Sequence, residues 1–174
     1  MYRKLLVALD HSSASDDLFA QALELAQATQ GQLLLVHSLS SEEAGSPSPF
    51  SARFDNIYWA PGTEIDVEAW RQSWVRYETE SRDRLQKYTA TANSLGVAAE
   101  FRQLVGPVAA AICKAAQEWG TDLIIVGNRG RTGLTELVLG SVSNAVMHRA
   151  PCGVMVIKTG KLSDAETPAI AGVA

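Results

Sequence analysis

The sequence has few residues that could form disulfides or bind metal. It contains two cysteines, Cys113 and Cys152, and three histidines, His11, His37 and His148. These residues match neither a CxxC pair nor the ligand spacing of a zinc site, so the sequence predicts neither a disulfide framework nor structural zinc. So few cysteines are typical of proteins from a reducing compartment, and the predicted location is cytoplasmic.

Long apolar runs and an excess of basic residues are also absent. No run approaches the roughly 20 apolar residues of a bilayer-spanning helix, so no membrane contact is predicted. The formal net charge is −4, with 15 Lys and Arg against 19 Asp and Glu. Nucleic acids and anionic membranes need a concentrated basic surface, and this charge balance therefore favours a small ligand over nucleic acid.

The chain length limits the number of domains. With 174 residues, the chain can form one sizeable core but is short for two independent domains. We therefore expect a single domain over residues 1–158. Residues 159–174 are small and polar, which predicts a flexible tail.

Five short apolar runs predict the strands of this domain. They cover residues 5–9, 32–38, 97–104, 122–126 and 153–158. Between them, apolar residues recur at the three-to-four spacing of helices. Strands that alternate with helices are typical of an α/β fold, here a doubly wound, Rossmann-like, mainly five-stranded parallel sheet with helices on both faces.

The predicted helices have recognisable ends. Ser13 or Ser15 is expected to cap the first helix, and Gly31 is expected to end it. Shorter helices are predicted over 107–119 and 141–149. A long helix ending at Gly96 carries an apolar stripe whose aromatic residues are predicted to pack in the core, with an exposed partner surface as the alternative. The stripe consists of Trp70, Trp74, Tyr77, Ser81, Leu85, Tyr88, Ala92 and Leu95.

Residues 39–66 break this alternation. The segment holds Pro47, Pro49 and Pro61 and shows no helix or strand periodicity. A connection of this length is uncommon in a compact domain, so we predict an insertion or lid. Its aromatic residues, Phe50, Phe54, Tyr58 and Trp59, could cover a ligand or contact a partner.

A glycine-rich segment follows the fourth predicted strand. Gly127 and Gly130 stand where the strand ends, and Gly140 precedes the Ser141-Val142-Ser143 start of a helix. Ligands of doubly wound sheets bind beyond the carboxyl ends of the strands. Each glycine alone is more often a turn or cap residue. Together with Arg129, they favour a phosphate site, because glycines let backbone N–H groups approach an anion and a helix N-terminus attracts negative charge.

The spacing of these glycines resembles a known family pattern. Gly127, Gly130, Gly140 and Ser141 fit the G-x2-G-x9-G-[S/T] loop of the ATP-binding subgroup of universal stress proteins. The Leu9-Asp10-His11-Ser12 turn and the closing 150–156 segment are also similar to that family. The resemblance covers residues 1–158 apart from the insertion, and it implies a fold like that of the adenine nucleotide alpha hydrolases.

The resemblance implies a ligand and a role for each matching residue. The ligand would be ATP, ADP or AMP, with Mg²⁺ as a candidate metal and cyclic dinucleotides as an alternative. Asp10 would contact the adenosine, Val36 would border the adenine, and the loop would hold the ribose and phosphates. The candidate binding residues are Leu9, Asp10, His11, Ser12, Val36, Val126, Gly127, Arg129, Gly130, Gly140, Ser141, Val142 and Ser143. The family also implies a homodimer formed through strand 153–158.

Three functions remain open at this point. The first is a nucleotide-responsive binding module in the stress response. The second is a slow ATPase, although the sequence has no evident catalytic set and lacks both a Walker loop and a GxGxxG fingerprint. The third is a nucleotide-free interaction protein that docks through the aromatic insertion. The intact loop glycines favour the first.

Overall fold

A parallel five-stranded sheet forms the centre of the computed structural model, which describes residues 2–41, 46–47, 67–129 and 140–159. Its strands are β1 (Lys4–Ala8), β2 (Gln32–Leu39), β3 (Ala99–Val105), β4 (Leu123–Arg129) and β5 (Gly153–Thr159). Their order is β3-β2-β1-β4-β5, and all neighbours are parallel. The predicted doubly wound sheet is confirmed. Leu39 belongs to β2, although it was predicted to begin the insertion.

Helices cover both faces of the sheet, as predicted. They are α1 (Ala14–Thr29), α2 (Val67–Ser94), α3 (Val108–Trp119) and α4 (Ser141–Arg149). Alternate strand residues enter two separate cores: Leu5 and Leu33 lie under α1 and α2, whereas Leu6 and Leu34 lie under α3 and α4. All four side chains are completely buried, which explains why the strands are continuous apolar runs.

The predicted stripe of α2 is only partly in the core. Tyr77, Leu85 and Ala92 are buried, and Trp70 and Trp74 are half-buried. Leu95, the last residue of the stripe, is 54% exposed. It lies just beyond the end of the helix at Ser94.

The end of α1 differs from the prediction. Gln30, not Gly31, adopts the left-handed conformation at the helix C-cap, with φ 51°. The Gly31 amide still donates to the Ala26 carbonyl, at 2.8 Å. A Cβ on Gly31 would lie 3.0 Å from the Arg3 carbonyl oxygen. The glycine is therefore required for close contact with the β1 backbone and not for the cap.

The start of α1 also corrects a prediction. Ser13 occupies the N-cap position but makes no side-chain capping bond. The Ser15 hydroxyl oxygen instead accepts the Asp10 amide at 2.9 Å. Ser13 and Ser15 are both of a residue type that favours a helix start. The position of Asp10 in the fold determines that the Ser15 hydroxyl bonds to Asp10.

Two predicted features fall outside the described residues. These are the aromatic residues of the insertion within 48–66 and the tail beyond Thr159. Within the described part of the chain, no helix is both long enough and apolar enough to cross a bilayer.

Candidate functional site

The candidate site lies where the chain changes direction across the sheet. β1 and β4 are neighbours at its centre, with Ala8 opposite Val126. The chain leaves β1 toward β2 on one side, and it leaves β4 toward β5 on the other. The carboxyl ends of β1 and β4 are therefore the switch point of the sheet, the usual ligand position in this architecture, and we call the space there between the β1–α1 turn and the start of α4 the crevice.

The β1–α1 turn, residues 9–13, forms one side of this crevice. Asp10 Oδ1 accepts the Ser12 amide at 2.8 Å and the Ser12 hydroxyl, and it lies 3.0 Å from Ser15 Oγ. The Leu9 amide also donates to the Val36 carbonyl of β2, at 2.9 Å. Asp10 thus has the loop-binding role that is the ordinary alternative for a carboxylate in a turn. Its contact with adenosine stays a prediction.

Arg84 of α2 holds the β1–α1 turn from the side. Its guanidinium donates to the Ser12 carbonyl at 2.9 Å, to the Asp10 carbonyl at 3.3 Å and to Tyr88 Oη at 3.1 Å. The same guanidinium lies 3.4 Å from the Asp16 carboxylate. One partly buried cation therefore satisfies two loop carbonyls, and we call Arg84, Tyr88 and Asp16 the arginine clamp.

Charge and burial shift two pKa values within the arginine clamp. A hydrogen bond from Tyr88, aided by the Arg84 charge, lowers the pKa of Asp16 below its usual value. Burial, together with the bond to Asp16, raises the pKa of Tyr88 to about 12. Both shifts favour the state in which a neutral phenol donates to a carboxylate.

His11 and His37 pack against α2. The His11 ring stacks on Tyr77 with centroids 4.6 Å apart, and its centroid is 4.8 Å from that of His37. His37 Nδ1 lies 2.7 Å from Ser81 Oγ. Trp74 extends the cluster, with its ring centroid 5.6 Å from that of Tyr77. These contacts occupy both histidines structurally, and the contact of His11 with a ligand stays a prediction.

The start of α4 forms the opposite side of the crevice. Gly140 is the N-cap, and α4 has no side-chain capping bond. The N–H groups of a first helical turn have no partner within the helix, and such a helix end favours an anion. The Ser143 hydroxyl donates to the Gly127 carbonyl at 2.8 Å and fixes this helix end to β4. Its only proton is thereby used, and the hydroxyl can only accept from a ligand.

Gly140 has an ordinary backbone conformation. Its φ is −58° and its ψ is 149°, values open to any residue. A Cβ would lie 3.9 Å from Ser143 Oγ, which is normal van der Waals contact. The fold itself therefore does not require glycine at this position, and a ligand that approaches the backbone is a sufficient reason for it.

Asn128 is a polar residue of the site that the sequence analysis missed. It is 5% exposed, and its Oδ1 has no hydrogen-bond partner in the part of the chain that the structure describes. Most buried polar atoms in proteins do have a partner. Asn128 could have been recognised as a polar residue just after the apolar run of β4. The prediction named only its neighbours, Gly127 and Arg129.

The remaining predicted residues fall into three groups. Val36 and Val126 are buried and lie level with Ala8 across three adjacent strands. Ser141 and Val142 are exposed at the start of α4. Gly130 and the side chain of Arg129 lie outside the described residues. The structure therefore brings the strand ends, the β1–α1 turn and the start of α4 to one edge of the sheet.

Metal ligands are not clustered at this edge. Across residues 2–41, 46–47, 67–129 and 140–159, no group of three or more His, Cys, Asp or Glu side chains could hold an ion. A nucleotide-bound Mg²⁺ would take ligands from phosphates and water as well. Mg²⁺ therefore stays a prediction.

The sheet order and the position of the crevice define a doubly wound α/β protein with its candidate ligand site at the switch point. The chain belongs to the universal stress protein family, whose family model matches residues 1–158. Two universal stress proteins of Synechocystis are similar to it. One is 42% identical over 105 residues, covering 60% of this chain and 97% of the relative. The other is 31% identical over 160 residues, covering 90% and 98%.

Solved structures of the family share the fold. A universal stress family protein from Arabidopsis thaliana with AMP bound has a TM-score of 0.62 and 23% identity, covering 93% of this chain and 97% of that chain. A universal stress protein from Archaeoglobus fulgidus in complex with dAMP has a TM-score of 0.56 and 21% identity, covering 90% and 98%. At these identities the likeness concerns the fold alone.

Proposed function

We propose that this protein binds ATP or a related adenine nucleotide in the crevice between the β1–α1 turn and the start of α4. Its role would be that of a nucleotide-responsive regulatory module in the stress response. The observation that carries the proposal is the start of α4, which lacks a side-chain cap and is fixed beside Gly127 at the switch point.

The start of α4 suits a phosphate group. Unpaired N–H groups and the positive end of the helix dipole both favour an anion there. Gly140 leaves the backbone accessible, and the exposed Ser141 adds a hydroxyl donor. Gly130 and Arg129 would complete the phosphate loop, in line with the G-x2-G-x9-G-[S/T] spacing.

The opposite side of the crevice suits a nucleoside. The side chains of Val36 and Val126 are buried level with Ala8, so these two residues would border a base through backbone atoms, and Asp10 places a carboxylate in the turn that follows β1. Leu9, His11 and Ser12 belong to the same turn. The AMP and dAMP held by solved family members favour an adenine base, since both ligands share it.

Release of bound nucleotide tests the proposal directly. The protein is purified without added nucleotide and denatured, and the supernatant is analysed by mass spectrometry. Calorimetry with AMP, ADP, ATP and a cyclic dinucleotide then gives the affinity for each. We expect binding of at least one adenine mononucleotide. No released nucleotide and no heat with any of the four ligands would refute the proposal.

We also propose that the protein forms a cytoplasmic homodimer through β5. This strand lies at one edge of the sheet, and Met155 on it is 37% exposed. Antiparallel pairing of β5 across a twofold axis would satisfy its edge amides, and the closed dimer would leave no β5 edge for a third copy. The free thiols of Cys113 and Cys152 suit a reducing compartment.

A proline substitution tests the dimer. Light scattering should give a dimer mass for the wild type and a monomer mass for Val156→Pro, because proline removes a ladder donor. A wild type that is monomeric at tens of micromolar would contradict the dimer.

A further inference from the structure

Asn128 presents a buried acceptor without a partner at the proposed site. The residue is 5% exposed, and its Oδ1 has no hydrogen-bond partner within the described residues. An unpaired buried acceptor lowers the stability of the ligand-free protein, because the amide oxygen has lost its bonds to water. Such an atom in a crevice is what a ligand donor would satisfy.

The strand register places Asn128 inside the crevice. The pairing of β1 with β4 ends at Ala8 and Val126, so Asn128, two residues further along β4, lies beyond the carboxyl end of β1. Asn128 also shares a sheet face with Val126, because side chains two residues apart on a strand point the same way. Val126 packs in the core under α3 and α4, so Asn128 lies on the α4 side. The adjoining Gly127 carbonyl accepts the Ser143 hydroxyl from the first turn of α4.

The chemistry of the acceptor limits what it can meet. Ionised phosphate oxygens are acceptors only, and they would be repelled by the Asn128 carbonyl. The donors of an adenine nucleotide are its ribose hydroxyls and the exocyclic amino group of the base. The acceptor therefore selects the nucleoside part of the ligand, whereas the N–H groups of α4 select the phosphates.

We propose that Asn128 Oδ1 accepts a hydrogen bond from a nucleoside donor, either a ribose hydroxyl or the 6-amino group, and so determines which nucleotides fit. This inference rests on the proposed function. It assigns a specificity-determining role to a residue between two predicted phosphate-loop positions. It also accounts for the burial of an acceptor that has no hydrogen-bond partner among the described residues.

The test compares four ligands and three forms of the protein by calorimetry. The ligands are AMP, 2′-deoxy-AMP, 3′-deoxy-AMP and purine riboside 5′-monophosphate, which lacks the 6-amino group. The proteins are the wild type, Asn128→Leu, which removes the acceptor at similar volume, and Asn128→Asp, which keeps an acceptor oxygen. The ratio of AMP affinity to analogue affinity is the readout, so a uniform change in affinity does not affect it.

The expected pattern identifies the donor. The wild type should bind one analogue about ten- to a hundredfold more weakly than AMP, the range for loss of one buried hydrogen bond. In Asn128→Leu this ratio should fall to about one, since AMP alone loses its bond, while Asn128→Asp should keep the ratio. The analogue that binds more weakly than AMP lacks the group that donates to Asn128, so it identifies that donor. The preference between AMP and ATP should stay the same in Asn128→Leu.

A second measurement needs no nucleotide. If Oδ1 is unpaired in the ligand-free protein, Asn128→Leu should have the same thermal midpoint as the wild type or a higher one. A midpoint several degrees lower would show an internal partner and overturn the proposal. So would a wild type that binds AMP and all three analogues alike. A wild type that binds neither these four ligands nor ADP, ATP or a cyclic dinucleotide would instead refute the proposed function, and this inference with it.

Discussion

The two sides of the crevice satisfy their polar groups in different ways. In the β1–α1 turn, Asp10 bonds to Ser12, and the arginine clamp satisfies the turn carbonyls. Around the start of α4, one bond from Ser143 fixes the helix, while Asn128 Oδ1 lacks a partner in the described chain. Under the proposed function, the first side is formed before any ligand arrives, whereas a ligand would complete the second side. The two sides should therefore respond differently to mutation.

The largest effect is expected from blocking the second side. Gly130→Val and Gly140→Val should each reduce adenine nucleotide affinity by more than about a hundredfold, since a branched side chain obstructs backbone contact with phosphate. The fold should persist in Gly140→Val because its backbone angles suit any residue. Calorimetry measures the binding, and circular dichroism measures the fold.

A matched control for that prediction lies on the same helix. Asn144 is exposed on α4, one turn after Gly140, and Asn144→Val introduces the same side chain away from the crevice. Its affinity should equal that of the wild type. Equal affinities in Gly140→Val and Asn144→Val would exclude the α4 N-terminus from the site.

A smaller effect on binding is expected from Asp10 on the first side. Asp10→Ala should weaken AMP and ATP by similar factors, equivalent to about 1–3 kcal/mol, because the contact is with the part common to both ligands. Asp10→Asn is the control, since it keeps an oxygen that can accept the Ser12 amide. A loss confined to ATP in calorimetry would place Asp10 near the terminal phosphates instead.

A substitution of Arg84 tests whether the β1–α1 turn is stabilised by the protein itself, without a ligand. Arg84→Met keeps the apolar stem but loses the bonds to two turn carbonyls, and the free energy of unfolding should fall by about 1–2 kcal/mol. Urea denaturation measures the change. The control is Arg82→Met on the same helix, which loses exposed bonds to the Glu78 and Gln103 side chains but none to the turn, and an exposed ion pair of this kind is worth at most about 1 kcal/mol. Equal losses in the two variants would show that the clamp has no special role.

The smallest effect is a titration within the arginine clamp. Tyr88 has a folded-state pKa of about 12 against an ordinary value of 10.0, so its contribution to stability is complete below pH 10 and is lost as the pH rises toward 12. Ultraviolet absorbance of the phenolate should show a step near pH 12 that is absent in Tyr88→Phe. Persistence of that step in the variant would assign it to another tyrosine.

Features with a local pattern were predictable from the sequence. The strands are buried on both faces, so they are continuous apolar runs, and their alternation with helices fixes the parallel order. Pro107 and the glycines at 96 and 120 also lie beside helix ends as local preference requires. The position of the crevice follows from this order alone.

Features that depend on residues distant in sequence were not predictable. Arg84 bonds to carbonyls 72 and 74 residues away, and in the sequence it is one charge among many on a long helix. Asn128 is visible in the sequence as a polar residue near the end of β4, but its burial and its lack of a partner among the described residues are visible only in the structure. Ser15 has a residue type that favours capping, but the position of Asp10 determines its bond.

The left-handed Gln30 offers a practical means of studying weakened variants. A side chain in this conformation is strained, and glycine is the residue best suited to it, so Gln30→Gly should gain on the order of 1 kcal/mol. Gln30 precedes β2 and lies at the end of the sheet opposite the crevice. Added stability there would raise the tolerance of the protein to damaging changes at the crevice, so that loss of binding could be measured separately from loss of folding.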